Sequence, residues 1–348
     1  MGRVSGFSLV EILVSVAVLS LIMMILMAVS VQIGGIWQKT TGKIEQFRGA
    51  RAAFESMTRR LSQATLNTYW DYDNPTTPTK YIRQSELRFI CGRAATLIGN
   101  STNLQPTHAV FFQAPFGFVD ESLANADKAV GLGNLLNTWG YFIEFGNDDA
   151  ERPSILGSLV GSSRYRYRLH EFTQPANAFT MYQYTGTTRD YDSNKPNGMD
   201  WFRQSMNLPL LPAAAPNRPS HVLADNIIAL ILLPKLSTQD DPSGNRLSPD
   251  YLYDSTVGKD DPSINSKNQL PPIIQVTLVA IDETSAKRME KGSAMPDFGL
   301  DSLFASAANY AQDLDTLQKN LTDRHVAFRV FTTNVTISGA KWSTDQVQ

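Results

Sequence analysis

The chain of 348 residues is 42% hydrophobic and 18% charged, with a formal net charge of −2 at pH 7. That size supports one large globular domain or two small ones, and near neutrality argues against nucleic acid as the main partner. One cysteine, Cys91, excludes an intramolecular disulfide and a thiolate metal cluster. It ends the apolar stretch Leu87-Arg88-Phe89-Ile90, which predicts a core cysteine.

Residues 1–6, Met1 to Gly6, carry one positive charge. From Phe7 to Val31 the only ionisable side chain is Glu11, and proline and glycine are absent. A helix over 7–31 would be roughly 37 Å long, enough to cross a hydrocarbon core of about 30 Å with some tilt. A carboxylate inside such a run is costly without a partner, which makes Glu11 a functional residue by default. Secretory signals close on small residues in an A-x-A pattern. Here the nearest small cluster is Ile33-Gly34-Gly35, and the residues before it fit that pattern poorly. Arg3 precedes the span while Lys39 and Lys43 follow it, so charge counting leaves the orientation open.

The order Gly6-Phe7-Ser8-Leu9-Val10-Glu11 ahead of an apolar run resembles the class III signal of type IV prepilins and type II secretion pseudopilins. The resemblance implies cleavage between Gly6 and Phe7 by a prepilin peptidase that also N-methylates Phe7, with the apolar helix retained. It implies that Glu11 pairs with the terminal amine of a neighbouring subunit during assembly and sets the register between helices. Ion pairs in a low dielectric fix geometry even when their net stabilisation is small. It also implies an inner-membrane, single-pass protein with a short cytoplasmic end, an exported periplasmic domain, and a filament after assembly.

Residues 32–67 read as a continuation of the helix. Ile33, Trp37, Ile44, Phe47, Ala50, Phe54, Met57, Leu61 and Ala64 recur at helical spacing. The opposite face carries Lys39, Lys43, Glu45, Arg48, Arg51, Glu55, Arg59 and Arg60 and reads as solvated, with Glu55 placed to pair with Arg59. Gly34-Gly35 suggests a bend. The remainder, 68–348, predicts a β-rich domain. Strand-like runs fall at 81–82, 86–91, 108–113, 140–145, 164–172, 226–234, 273–282 and 325–338. Loops at 100–107, 120–138, 186–220 and 237–271 separate them, and the third is the expected flexible excursion, with Pro209, Pro212, Pro216 and Pro219 close together. A late helix is expected over 301–323, with Leu303, Ala307, Ala311, Leu314, Leu317 and Leu321 on one face. The fold expected is α+β and type IV pilin-like, a long N-terminal helix packed on a mostly antiparallel sheet.

Further blocks resemble one pseudopilin-like family, the Verru_Chthon cassette protein C group. They are 47–54 (FRGARAAF), 58–72 (TRRLSQATLNTYWDY), 270–283 (LPPIIQVTLVAIDE) and 329–335 (RVFTTNV). More loosely, the helix ending Arg59-Arg60-Leu61-Ser62-Gln63-Ala64 is similar to J-type minor pseudopilins. Both likenesses imply co-assembly with sister subunits.

No enzyme signature is present. His108, His170, His221 and His325 lack metal spacing, and neither a G-x-S-x-G elbow nor a Walker A loop occurs. Asp240, Asp241, Asp254, Asp260 and Asp261 offer oxygen ligands of the kind calcium takes, without EF-hand spacing, so no cofactor is expected and calcium is the only metal considered. Arg164-Tyr165-Arg166-Tyr167-Arg168 alternates as a nucleic-acid platform or as an edge strand with one charged face. The expected role is a structural, non-enzymatic minor subunit of a secretion or pilus-like filament. Its partners would be the peptidase/N-methyltransferase, other pseudopilin-like subunits and inner-membrane lipid. The rivals are a membrane-anchored exported enzyme or binding domain, and a minor pilin of a DNA-uptake or adhesion pilus.

Overall fold

The computed structural model describes residues 9–74, 76–99, 106–122, 126–129, 131–149, 163–179, 181, 200–203, 219–258 and 264–342. Within its helices, the side chains of Glu11, Ala28, 31–46, Ala126, Ala129 and Asp200 lie outside that set. The chain divides into two units, Met1–Arg48 and Gly49–Gln348.

Helix α1, Leu9–Leu61, forms the described part of the first unit and opens the second. It runs through Gly34 and Gly35 as helix, so the bend expected there does not interrupt it. It stops at Leu61 rather than continuing to Asn67. Gln63 and Ala64 close three-residue turns onto Arg60 and Leu61, and Thr65 then donates to the Gln113 carbonyl. Asn67 is held in extended chain, where its side-chain oxygen accepts from the N–H groups of Glu86 and Leu87.

The second unit is α+β with antiparallel strand pairs throughout its sheets. In chain order its elements are β1 Tyr69–Tyr72, β2 Tyr81–Gln84, β3 Ile90–Arg93, α2 Ala94–Ile98, β4 His108–Ala114, α3 Ala126–Ala129, β5 Asn137–Gly146 and β6 Arg166–Gln174. There follow α4 Asp200–Arg203, β7 Ser220–Asp225, β8 Ile227–Lys235, β9 Tyr253–Asp254, β10 Ile273–Ile281, α5 Glu283–Met289, α6 Tyr310–Asp323 and β11 Phe328–Thr336. The strands form a six-stranded sheet ordered β7-β6-β5-β4-β3-β9, a three-stranded sheet β11-β10-β8, and the separate pair β1-β2.

Register explains how the large sheet is used. One cross-strand row reads His221, Glu171, Tyr141, Val110, Cys91, Tyr253, and the next reads Ser220, Phe172, Gly140, Phe111, Ile90, Asp254. Successive residues of a strand face opposite ways, so these rows lie on opposite faces. The second row packs into an aromatic core with Trp201 and Phe202 of α4, where Phe202 stacks on Phe111 at 4.0 Å. Gly140 is needed there, because a Cβ would meet the Phe111 ring at 2.3 Å. Cys91 is buried, as expected, with its Sγ 3.9 Å from the Tyr251 carbonyl.

The passage between sheets turns on one residue. Asn226 has φ +59° and separates β7 from β8, which belong to different sheets. Asparagine tolerates the left-handed region better than most residues. Its N–H donates to Tyr167, its carbonyl accepts from Ile281, and its amide donates to Glu283. The edge of β8 is covered by side chains: Leu230 and Leu232 N–H donate to Thr107 Oγ1 and His108 Nδ1. Burial, with Arg93 nearby, pushes the His108 imidazole down to about 3, which keeps it a neutral acceptor.

The late helix is shorter than 301–323. Phe304 has φ +56°, which no helix accommodates, and Ala307 donates its N–H to Pro249, so Leu303 and Ala307 are buried through turns instead. The run 325–338 holds a single strand, β11.

Candidate functional site

The residues expected to carry processing, Gly6 and Phe7, lie outside the described residues, and so does the side chain of Glu11. Around Glu11, the described apolar side chains of the first unit are open to solvent, among them Leu9, Ile12, Leu13, Met23, Met24 and Met27. The described side chains of this run thus form a mostly apolar exposed surface. Among the described residues no helix is long and apolar enough to cross a membrane.

In the second unit the end of α1 is tied to the sheet. Ala50, Phe54, Met57, Leu61 and Ala64 are buried, as their spacing predicts, and Ala53 is buried beside them. Phe54 meets Phe331 of β11 with ring centroids 5.9 Å apart. The opposite face is not wholly solvated. Arg51 pairs with Glu55 at 2.8 Å, where the sequence suggested Glu55 with Arg59. Arg60 reaches the buried carboxylate of Glu171 on β6.

Glu171 is the best-connected acid on this face. Its Oε1 accepts from Arg60, from Trp139 Nε1 at 2.8 Å and from the Tyr141 hydroxyl at 2.7 Å. His221 Nε2 lies 3.0 Å from Oε2, and the Arg60 guanidinium sits 4.7 Å above the Trp139 ring. Burial alone would raise the carboxyl. Hydrogen bonds from His221, Arg60, Tyr141 and Trp139 outweigh it and bring it down to about 2. Burial and the Glu171 charge push Tyr141 the other way, well above its usual value. The arrangement holds a charge fixed, which suits anchorage of a helix rather than proton transfer near neutral pH. Sequence reading did not pick out this cluster. Its signal is a glutamate in a strand whose residues are nearly all buried, opposite aromatic residues two positions apart on β5, and it becomes visible only with the register.

The other expected sites come apart. Asp241 accepts from Ser243, Gly244 and Arg246 N–H, Asp240 from Ser237, and Asp254 from Thr256, so each carboxylate caps its own turn. Asp260 and Asp261 lie outside the described residues. Among the described residues no three His, Cys, Asp or Glu side chains converge to hold a metal. The Arg164–Arg168 run is neither an edge strand nor an open platform. From Arg166 on it is β6, interior to the sheet between β5 and β7. Arg166 pairs with Glu290 at 2.6 Å and Glu283 at 3.2 Å, and Arg168 with Asp225 at 3.1 Å. Both arginines are only 5% exposed, too covered to meet a phosphate backbone. His170 faces Glu144 at 3.8 Å, and His108 is buried beneath β8.

No family model, no curated protein and no solved structure matches the chain.

Proposed function

We propose that the chain is a prepilin-type structural subunit, matured between Gly6 and Phe7 and assembled with sister subunits into an inner-membrane filament of a type II secretion-like or pilus-like system. The observation that carries this reading is the order Gly6-Phe7-Ser8-Leu9-Val10-Glu11 at the head of α1, ahead of apolar side chains that lie exposed. Exposed apolar helix surface needs lipid before assembly and neighbouring helices after it. A carboxylate within that surface needs a cation, and the amine freed on Phe7 would supply one. The antiparallel α+β unit at the far end of α1 suits a pilin-like body, and the Glu171 cluster suits a helix that must not detach from that body. The role is mechanical rather than catalytic, with the membrane peptidase, bilayer lipid and sister subunits as partners.

The test is the mature amino terminus, read by intact and peptide mass spectrometry of membrane fractions with and without the prepilin peptidase. The expected result is peptidase-dependent loss of residues 1–6 and a methyl group on Phe7. An intact Met1 in the presence of the peptidase overturns the reading and leaves a plain membrane anchor.

A further inference from the structure

The two larger sheets end in β7, β9, β8 and β11, and the first three are poorly fitted to take a further strand. The edge of β8 is covered by Thr107 and His108, which accept from the N–H groups of Leu230 and Leu232. β7 slips against β6 between Leu169 and His170, and β9 is two residues long. β11 differs. It pairs with β10 over nine residues without a slip, and it holds neither proline nor lysine. Its one charge, Arg329, lies with its guanidinium 5.9 Å from the Phe331 ring. Bulges, prolines, lysines and covering segments are how proteins blunt an exposed edge, and among the described residues β11 has none of them.

The register shows which backbone groups this edge offers. Asp282 donates its N–H to the Ala327 carbonyl and Ile337 to that of Pro272, at either end of the ladder. Hydrogen-bonded pairs alternate in an antiparallel ladder. Arg329, Phe331, Thr333 and Val335 therefore bond inward to β10. The N–H and C=O groups of Phe328, Val330, Thr332, Asn334 and Thr336 point away from it, and among the described residues no hydrogen bond reaches them. The next outward residue, Ser338, does use its N–H, on the Ser62 carbonyl. The strand is also held from both faces. Phe54 meets Phe331 on one, and on the other the Thr332 hydroxyl lies 3.1 Å from that of Thr277, which bonds Tyr310 of α6.

Alternating donors and acceptors at strand spacing are complementary to another extended backbone, the mode in which a segment adds itself to a sheet. An edge already rigid loses little entropy on docking. We propose that β11 is a strand-addition site, where an extended segment of a different polypeptide, a sister subunit of the filament, continues the β8-β10-β11 sheet. A second copy paired antiparallel on the same edge would obey two-fold symmetry. The end of α1 runs the same way as β11, because Phe54 meets Phe331 and Ser62 meets Ser338. Two-fold pairing would turn one α1 against the other, which two subunits anchored by that helix in one membrane do not allow. The inference rests on the filament reading for the partner's identity, and on the edge alone for its location and chemistry.

The first test reads amide exchange, residue by residue, on the unmutated full chain. It is measured in membranes of cells that carry the assembly partners and on the purified chain in detergent. In the purified chain Val330, Thr332 and Asn334 should exchange fast, and Phe331 and Thr333 slowly. In the membranes the three outward amides should slow by about tenfold or more. The second test places p-benzoylphenylalanine at Thr332, which is exposed, and as a control at Leu132, which is 54% exposed elsewhere on the unit. The expected result is a crosslink from position 332, absent from position 132, onto one stretch of another polypeptide. It should be lost with Asn334→Pro, which deletes an outward N–H and no bond to β10, and kept with Asn334→Ala. Outward amides equally fast in both preparations overturn the proposal, whether or not the proline variant folds. So do outward amides already slow in the purified chain, crosslinks confined to this chain's own peptides or to lipid, and a yield indifferent to Asn334→Pro. A processed Phe7 terminus with fast outward amides overturns this inference alone. Slowed outward amides and the crosslink with Met1 intact overturn only the filament reading.

Discussion

Glu171 shows what a buried charge requires in this protein. It is 3% exposed yet ionised, because four side chains from α1, β5 and β7 converge on it. Its folded carboxyl titrates at about 2, below the ordinary 4.5. The stability it contributes is therefore complete above about pH 4.5 and is lost as pH falls towards 2. The shift corresponds to roughly 3 kcal/mol. Urea melts of the detergent-solubilised chain between pH 6 and 3 should show stability falling with acid, and Glu171→Gln should flatten that fall. Parallel pH profiles for the two proteins would refute the assignment. Gly140 makes a steric counterpart. Gly140→Ala places a methyl inside the Phe111 ring and should destabilise by about 1–3 kcal/mol. An unchanged urea midpoint would mean that the ring is free to move.

At the scale of elements, the legible parts were those where period and burial agree. The apolar runs at 108–113, 140–145 and 273–282 became β4, β5 and β10 with modest shifts at their ends. The buried face of α1 from Ala50 onward followed from spacing alone. What escaped was structure made by distant partners. β7 reads Ser-His-Val-Leu-Ala-Asp, too mixed to announce a strand, and exists because β6 offers it a ladder. α4 sits in the expected loop 186–220, yet its Trp201 and Phe202 close the aromatic core. The basic residues of β6 looked like a ligand surface because their acids, Glu283, Glu290 and Asp225, come from elsewhere in the chain. The corner between sheets was likewise read as the first residue of a strand. Asn226→Gly keeps the positive φ and removes one amide, while Asn226→Ala removes both the amide and the tolerance. The alanine variant should be the less stable by about 1 kcal/mol. Equal stability in thermal melts would show that the backbone there carries no strain.

For the whole molecule, the residues proposed for processing and assembly stand in one short sequence motif, while the contacts that tie α1 to the sheet do not. Gly6, Phe7 and Glu11 are named by a motif, whereas the coupling of α1 to the sheet depends on Arg60, Glu171 and their neighbours, which share no local pattern. The two parts fail differently when damaged. If the proposed filament role holds, Glu11→Leu should leave insertion and cleavage intact and abolish incorporation into sheared filament fractions, because it would remove only the proposed partner for the neighbouring amine. Incorporation at the wild-type level would eliminate pairing as the assembly step.

The two ends of the second unit are laced together as well. Ser338, just past β11, donates its N–H to the Ser62 carbonyl at the end of α1, and Gly339 passes so close to Ala64 that a Cβ would lie 2.8 Å from its carbonyl oxygen. Tension entering through the end of α1 is thus shared by the Thr65–Gln113 bond into β4, the Ser62–Ser338 bond just past β11 and the Arg60–Glu171 pair on β6. β11 is paired with β10 without a slip from Phe328 to Thr336. A load along that strand must shear the whole ladder at once rather than unzip it bond by bond. Within the second unit the end of α1 is a handle on both larger sheets, so a pull on it is met by the whole body of that unit.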